Sequence, residues 1–347
     1  MAPTSFPTRQ LGCTGMALSR IGLGTSAIGG SNWTYAWGAQ DDDASLRTVQ
    51  HAVDRGINWI DTAAAYGQGH AETLLGQALA QLPRSARPYL FTKGGLQAES
   101  GQTRVRGQPE VLRRELEASL RRLRTDCIDL YQMHWPATDG TPLEVYWQTL
   151  LDFQREGKVR AVGLSNHSLA QLQAAEALGH VDSAQPPFSA IVRDSAADLL
   201  PWCADRQTGV IVYSPMQSGL LSGAFTASRA AALPADDWRT RDAQFQPPRL
   251  QANLALADAL ARIAERHSTT AGTIAIAWTL AWPGVTGAIV GARSPAQVDD
   301  WLGAATLDLD PDTLQEIAAA ITQSGAGTGP LCPPDDDALP SPSDWLR

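Results

Sequence analysis

The sequence has little cysteine, no excess of positive charge and no long apolar segment. Its four cysteines are widely scattered, which is typical of the reduced thiols of a cytoplasmic protein. The 27 Lys and Arg residues are outnumbered by 36 Asp and Glu residues, so neither a nucleic acid nor an anionic membrane is an expected partner. No apolar run approaches the roughly 20 residues that span a bilayer. The first residues lack a signal-peptide pattern. We therefore expect a soluble, cytoplasmic protein.

Short apolar segments rich in β-branched residues alternate with longer amphipathic segments. The segments that we predict to be strands lie near residues 20, 58, 88, 128, 159, 183, 209 and 285. Between them, apolar residues recur at helical spacing, as at Leu112, Leu116 and Leu120. Repeated strand–helix units predict parallel strands, because each return to the sheet needs a crossover. The predicted fold class is α/β, a (β/α)8 TIM barrel, and an open doubly wound sheet is the alternative.

Four segments fall outside these units. Residues 1–20 predict a β-hairpin that could close the bottom of the barrel, and residues 326–347 form a Pro- and Asp-rich C-terminal extension. Insertions at Gly29–Gln40 and Met216–Pro248 predict long loops at the carboxyl face. We expect the whole chain, residues 1–347, to form a single barrel domain.

One short motif suggests a different nucleotide site. The run from Gly22 to Ala27, GLGTSA, matches the loose glycine fingerprint of dinucleotide-binding sheets. That fingerprint requires a helix directly after the second glycine. The residues that follow, IGGSNWTYAWGAQ, predict a loop, so we do not predict a Rossmann site.

Ionisable residues end three consecutive predicted strands: Asp61, Lys93 and His134. Tyr66 follows Asp61 in the next loop. In a barrel the carboxyl ends of the strands supply catalytic groups. Alone, such an Asp often caps a helix and such a His is often only hydrogen-bonded. Three buried polar groups would be costly without mutual pairing, so we predict one site.

The four side chains make chemical sense as a proton-donating device. Lys93 would lower the pKa of the Tyr66 phenol, and Asp61 would keep Lys93 charged. His134 would polarise a carbonyl through a hydrogen bond. No Ser or Cys nucleophile pairs with a base, so the attacking group that fits best is a hydride from a nicotinamide.

Five motifs in order make the sequence resemble the aldo-keto reductase family, bacterial type, over essentially the whole chain. They are GINWIDTAAAYGQGHAETLLGQAL, LYQMHWP, GKVRAVGLSN, YSPMQSGLLSG and AIVGARSPAQV. The resemblance implies a reversible NADPH-dependent carbonyl reductase. It also implies a catalytic tetrad of Asp61, Tyr66, Lys93 and His134, with Tyr66 as the general acid.

The resemblance further implies an NADPH or NADP+ site over the barrel mouth. Ser165, Asn166 and Gln185 would hold the carboxamide, and Tyr213 would stack on the nicotinamide. The remaining expected cofactor contacts are Gly24, Thr25, Ser214, Met216, Gly219, Leu221, Gly291, Arg293, Ser294 and Gln297, with Arg293 and Ser294 at the 2′-phosphate. The sequence departs from the family pattern at Gln217, Ala224 and Trp301.

Aromatic residues concentrate in the predicted loops and suggest the substrate site. We expect them to wall a pocket for a small ring-bearing or sugar-like carbonyl compound, although they could instead fix the loops. They are Trp33, Tyr35, Trp37, Trp135 and Trp238.

Two other functions stay open. A cofactor-binding regulatory subunit that senses redox state would use the same fold and the same site. A metal-dependent barrel hydrolase is disfavoured, because the six histidines show no ligand pair in the sequence, and we predict no metal site. The oligomeric state is left open.

Overall fold

The computed structural model describes residues 6–31, 33–99, 102–235 and 237–334. The described chain begins with an antiparallel hairpin, β1 (Thr8–Gln10) and β2 (Ala17–Ser19). Residues 1–5 of the predicted hairpin segment and residues 335–347 of the predicted extension lie outside the described residues. Within the extension, Ala326 is buried and Thr328 pairs with Val192.

Eight parallel strands close into a barrel, which confirms the predicted fold class. The last strand pairs with the first, so the described barrel has no open edge. In order around the barrel they are β3 (Ile21–Gly24), β4 (Trp59–Asp61), β5 (Tyr89–Gly94), β8 (Ile128–Met133), β9 (Val159–Ser165), β10 (Ser183–Gln185), β11 (Gly209–Tyr213) and β12 (Val285–Gly291). All eight lie where the sequence predicts a strand. A separate hairpin, which we did not predict, consists of β6 (Leu96–Glu99) and β7 (Gln102–Val105).

Helices alternate with the barrel strands and enclose them. Several begin at residues whose side chain accepts a backbone N–H of the first turn, as Asp41 and Asp310 do. The α-helices are α1 (Asp42–Asp54), α2 (His70–Ala80), α3 (Pro109–Leu123), α4 (Leu143–Arg155), α5 (Leu169–Glu176), α6 (Leu199–Arg206), α7 (Ala227–Ala231), α8 (Arg249–Arg266), α9 (Ala271–Leu280), α10 (Pro295–Leu302) and α11 (Pro311–Ser324). Short 3-10 helices include Ser26–Ile28, Tyr66–Gly69, Gln217–Ser222, Trp238–Arg241 and Ala243–Phe245.

Side chains alternate between the inside and the outside of the barrel, as the two-residue period of a strand requires. In β4, Trp59 belongs to the interior cluster and Ile60 to the shell beneath the helices, so Asp61 faces inward again. The interior cluster also holds side chains of the N-terminal hairpin, which therefore closes the bottom of the barrel. Its buried members are Leu11, Met16, Leu18, Trp59, Phe91, Leu130, Ala161, Ile211 and Ile289.

The ring of Trp59 fits inside the barrel because neighbouring strands carry glycine beside it. A Cβ atom on Gly22 would lie 2.3 Å from the Trp59 ring, and one on Gly287 would lie 2.9 Å from it. The indole Nε1 donates to Ser19 O at 2.8 Å, which ties the interior to the end of the hairpin. In the described ranges, no helix combines the length and apolar character that crossing a membrane requires.

Candidate active site

Asp61 and Lys93 meet inside the barrel at its carboxyl end. Asp61 lies two residues after Trp59 in β4 and Lys93 two residues after Phe91 in β5, so both point inward one layer above those rings. Lys93 Nζ lies 2.5 Å from Asp61 Oδ1 and 2.9 Å from Thr62 O. Both side chains are buried, at 0% and 3% exposed. Asp61 and Lys93 are therefore paired, as the sequence predicts for two buried charges.

Tyr66 and His134 complete the group. Tyr66 begins the 3-10 helix in the loop that follows β4, and its Oη lies 3.4 Å from Lys93 Nζ. The backbone N–H of His134 donates to Gly94 O at 3.0 Å, which fixes the residue after β8 against β5. The His134 and Tyr66 rings meet edge to face with centroids 5.7 Å apart. All four residues of the predicted tetrad are thus in one place.

The environment keeps Lys93 charged. Burial lowers the pKa of Lys93, but Asp61 and Tyr66 together raise it more, so the net change is upward. Burial raises the pKa of Asp61, while Lys93 and the amide of Gln185 lower it. Gln185 Nε2 donates to Asp61 Oδ2 at 3.0 Å, so each oxygen of this buried carboxylate accepts a hydrogen bond.

The pKa of the Tyr66 phenol is raised, which corrects part of our expectation. Burial raises this pKa, Lys93 lowers it, and Asp61 raises it further. Lys93 therefore acts in the direction that we expected, but the net pKa of Tyr66 lies above its usual value because burial outweighs the ammonium. Tyr66 is consequently protonated at neutral pH and able to donate a proton.

His134 is neutral in this setting. Burial lowers the pKa of His134 well below its usual range, and the neighbouring charge of Lys93 lowers it further. Its Nδ1 is buried and has no hydrogen-bond partner in the described part of the chain. A neutral imidazole donates from one nitrogen only, so His134 can offer a single hydrogen bond to a carbonyl oxygen.

The residues expected at the carboxamide form a continuous network. Tyr213 Oη donates to Asn166 Oδ1 at 2.7 Å, and Asn166 Nδ2 donates to His134 O at 2.9 Å. Ser165 Oγ donates to Gln185 O at 3.1 Å. Asn166 adopts a left-handed backbone conformation, with φ of 62°, which turns its side chain towards these partners. The network joins the ends of β9, β10 and β11 to the tetrad.

Gly291 leaves the backbone accessible between the tetrad and Arg293. Gly24 and Gly291 are opposite each other at the ends of β3 and β12. A Cβ on Gly291 would meet Gly24 O alone, at 3.8 Å, so a ligand could approach closely here. Thr25 holds this edge to the tetrad, because its N–H and Oγ1 both donate to Asp61 O, at 3.0 and 3.1 Å.

The predicted pyrophosphate loop follows β11. Ser214 and Gly219 have positive φ, of 58° and 99°. The N–H groups of Gly219 and Leu221 both donate to Met216 O at 3.1 Å, and the Leu221 side chain is fully buried in the core. Leu221 therefore supports the loop from the core, while Ser214 and Gly219 lie in its half-buried turns.

Arg293 contacts the early loop, Gly29–Gln40. Its Nε donates to Gln40 Oε1 at 2.7 Å, and its two terminal nitrogens donate to Trp37 O, at 3.1 Å, and to Ala39 O. Ser294 and Gln297 sit at the start of α10, where Ser294 Oγ accepts from Gln297 N and Gln297 Oε1 accepts from Arg293 N. The predicted 2′-phosphate residues thus also hold a loop in place.

Sequence reasoning missed Arg239. Its side chain is nearly buried, with the guanidinium paired to Asp237 and centred 4.7 Å from the Trp37 ring. Its NH1 donates to Ser218 O at 3.4 Å, so it lies against the predicted pyrophosphate loop. Arg293 donates to Trp37 O and Arg239 lies over the Trp37 ring, so the two guanidinium groups lie near each other. The D-W-R sequence carries no spacing signal that links it to either loop.

Four of the five predicted pocket aromatics form one cluster. Trp33 contacts both Tyr35 and Tyr66, with ring centroids 5.9 and 5.4 Å apart, and Trp238 contacts both Tyr35 and Trp37. Trp135 is 39% exposed and has no ring contact among the described residues. The early loop and the late loop, Met216–Pro248, therefore meet through these rings beside the tetrad.

A cavity of about 350 Å³ lies next to this cluster. Its lining includes Trp33, Tyr35 and Ala65, but none of the four tetrad residues, so it extends beside the catalytic group instead of covering it. Polar side chains from α3, including Arg114 and Glu115, form the far wall.

The residues present fit a nicotinamide dinucleotide. A path runs from the buried His134 and the Asn166 network, past the glycine edge of β3 and β12, to two neighbouring guanidinium groups. Such a path suits a flat polar ring at one end and phosphates at the other.

The sequence and the fold match those of known proteins. Residues 20–322 match the model of the aldo/keto reductase family. The aldo-keto reductase YhdN of Bacillus subtilis is 36% identical over 82% of this chain and 85% of its own length. The NADH-specific methylglyoxal reductase of Escherichia coli is 33% identical over 90% of this chain and 98% of its own length.

A solved structure gives the same result. The glycerol dehydrogenase of Gluconobacter oxydans superposes with a TM-score of 0.83 at 34% identity, covering 93% of this chain and 98% of that one. This chain belongs to the aldo/keto reductase family of oxidoreductases, whose members use nicotinamide cofactors.

Proposed function

We propose that this chain catalyses the reversible reduction of an aldehyde or ketone to an alcohol. The observation that carries the proposal is the contact of Lys93 Nζ with both Asp61, at 2.5 Å, and Tyr66 Oη, at 3.4 Å, beside the neutral His134. Membership of the aldo/keto reductase family supports the same reaction class.

In this account Tyr66 is the general acid. A dihydronicotinamide held by these residues would supply the hydride for the carbonyl carbon. Tyr66 Oη gives its proton to the carbonyl oxygen, and Lys93 stabilises the phenolate that this leaves. His134 donates a hydrogen bond to the same oxygen as negative charge develops on it. Asp61 keeps Lys93 charged and fixes its position throughout.

The cofactor would lie along the carboxyl ends of the strands. Asn166, with Ser165 beside it, offers the amide and hydroxyl groups that suit a carboxamide, and the Tyr213 ring offers a flat apolar face. The phosphates would approach the loop at Ser218 and Gly219, where Arg239 supplies a nearly buried positive charge.

We infer a preference for NADPH over NADH. Arg293 and Ser294 offer a guanidinium and a hydroxyl where a 2′-phosphate would lie, and the guanidinium has donors beyond the three that hold the early loop. A second guanidinium, that of Arg239, contacts the Trp37 ring and is paired with Asp237, so both arginines lie on this side of the early loop. The Escherichia coli relative is named as NADH-specific, so this preference has to be measured for this chain.

The substrate is proposed to be a small carbonyl compound carrying hydroxyl groups or a ring. The names of two relatives refer to methylglyoxal and glycerol, which are short oxygenated molecules. The rings of Trp33 and Tyr35 beside Tyr66 provide a flat apolar wall that also suits a sugar or an aromatic aldehyde.

A substrate panel tests the proposal. The purified chain is incubated with NADPH or NADH and with methylglyoxal, glyceraldehyde, dihydroxyacetone or 4-nitrobenzaldehyde, and loss of cofactor absorbance is followed. Turnover of at least one carbonyl compound, lost in Tyr66→Phe, is the expected result. Tight cofactor binding without turnover of any panel member would contradict the proposal and favour a redox-sensing subunit.

A further inference from the structure

The fold brings together three metal-ligating side chains at the closed end of the barrel, far from the tetrad. Cys13 lies in the turn of the β1–β2 hairpin, His180 lies between α5 and β10, and Asp182 lies directly before β10. Their ligand atoms, one from each residue, are all within 4.8 Å of one another. We propose that Cys13, His180 and Asp182 form a zinc-type metal site that ties the hairpin to the wall of the barrel.

The environment of His180 is that of a metal ligand. Its Nδ1 lies 3.1 Å from Glu176 Oε1, and a carboxylate can only accept, so Nδ1 carries the hydrogen. The lone pair is then on Nε2, which is buried and has no hydrogen-bond partner in the described part of the chain. A histidine held by a carboxylate through its other nitrogen is the usual arrangement around protein-bound zinc.

The other two ligands are also suitably placed. The Asp182 carboxylate is oriented by Val162 N–H and Gln154 Nε2, which both donate to its Oδ2, at 2.9 and 3.0 Å. Cys13 is a free, exposed thiol on a turn, so its Sγ can move by side-chain rotation. A tetrahedral zinc ion holds such ligand atoms roughly 3.3–3.7 Å apart, so closure needs a shift of about 1 Å.

The donor set selects the class of metal. A thiolate and an imidazole favour zinc and similar transition metals over magnesium or calcium. Thiolate, carboxylate and neutral imidazole carry two negative charges, which match a divalent cation. Binding forms the metal–sulfur bond and releases the Cys13 proton to solvent, and water takes the fourth position.

A bound metal would stabilise the β1–β2 hairpin that closes the bottom of the barrel. Gly12, beside Cys13, packs so closely on the residues before β11 that a Cβ there would lie 2.2 Å from Gln207 O. The hairpin side chains Leu11 and Met16 fill the barrel interior. A metal that binds the folded chain alone raises its melting temperature by mass action. The proposal does not depend on the function proposed above.

The test uses the untagged full-length chain, freed of metal with a chelator. Zinc binding is measured by competition with a chromophoric chelator, cobalt(II) is added as a spectroscopic probe, and melting temperature is recorded with and without zinc. We expect one zinc per chain, a thiolate-to-cobalt charge-transfer band and a higher melting temperature with zinc. Cys13→Ala and His180→Gln should each weaken zinc binding at least tenfold and abolish the band.

Two matched variants serve as controls. Cys127→Ala removes another accessible thiol, and His51→Gln removes another histidine that contacts a carboxylate, Asp299. Both should keep wild-type zinc affinity, and all four variants should keep the wild-type circular dichroism spectrum. Zinc binding that persists in Cys13→Ala and His180→Gln, or the absence of a cobalt band in the wild type, would overturn the proposal.

Discussion

The Asp61 carboxylate at the inner end of β4 has its two oxygens bonded to different partners, Lys93 Nζ and Gln185 Nε2. A buried carboxylate without such partners would cost several kcal/mol or become protonated. The pairing stabilises a positive charge 3.4 Å from the Tyr66 hydroxyl, where a phenolate would form. The buried charges of Asp61 and Lys93 therefore support the role of Tyr66 as the acid.

A charge-removing change at Lys93 tests this electrostatic role. Alcohol oxidation needs the phenolate form of Tyr66, and loss of the ammonium raises the pKa of Tyr66 further. In Lys93→Met, the pH at which oxidation reaches half its maximum should therefore move upward, and the rate below that pH should fall. The control is Lys158→Met, which removes the only other lysine, paired with Glu117 at the surface. Superimposable pH profiles for Lys93→Met and wild type would refute the role.

Because the pKa of His134 is lowered, we expect the pH profile of the reaction to show no titration of this residue near pH 6.5. Because burial and Lys93 disfavour its protonated form, His134 stays neutral as pH falls through the ordinary histidine value of about 6.5. The rate of carbonyl reduction should consequently show no inflection in that region. An inflection near pH 6.5 that is present in wild type and absent in His134→Gln would show that His134 titrates normally.

Strands of the barrel place these groups because their inward residues form layers. In β4 and β5 the layer of Trp59 and Phe91 lies directly below that of Asp61 and Lys93. The packing around the Trp59 ring therefore supports the positions of Asp61 and Lys93, which lie in the next layer of the barrel interior.

Gly22→Ala tests that packing. A Cβ atom 2.3 Å from the Trp59 ring must displace the ring, and overpacking of this kind costs about 1–3 kcal/mol of unfolding free energy. We expect a lower midpoint of urea-induced unfolding. Gly303→Ala is the control, because its Cβ would have its nearest contact at 3.9 Å. Equal midpoints for Gly22→Ala and wild type would mean that the ring is not confined by this strand.

The role of Arg293 in cofactor choice can be separated from its contacts with the early loop. Arg293→Ala should weaken NADPH binding by roughly ten- to a hundredfold, the effect of one charge-assisted contact, and change NADH binding little. Gln40→Ala removes a loop contact of Arg293 and keeps its charge, so it should affect both cofactors equally. Tryptophan-fluorescence titration measures both affinities. Equal losses of NADPH and NADH binding in Arg293→Ala would assign Arg293 to loop support alone.

Sequence reasoning was strong where local patterns suffice. Short apolar segments rich in β-branched residues, amphipathic helices and ionisable residues at strand ends predicted the eight barrel strands and the grouping of Asp61, Tyr66, Lys93 and His134. The β6–β7 hairpin was missed because its residues, LQAESGQTRV, show no clear apolar alternation. The features that sequence reasoning missed involve residues that only tertiary packing brings together.

Three examples show this limit. Cys13 is remote in sequence from His180 and Asp182, so no spacing rule detects its approach to them. The pKa of Tyr66 also depends on its burial, which a sequence does not reveal: Lys93 lowers this pKa as expected, but burial outweighs Lys93 and the net pKa is raised. Arg239 is the third example, because its position depends on how the late loop folds over Trp37.

The most direct test of the whole account is Tyr66→Phe. Phenylalanine keeps the ring that packs against Trp33 and His134 and removes only the proton donor. With a carbonyl compound that wild type reduces, kcat should fall by about 10²–10⁴-fold while the Kd for the cofactor stays unchanged. A Tyr66→Phe chain that keeps more than about a tenth of wild-type kcat would show that Tyr66 is not the acid.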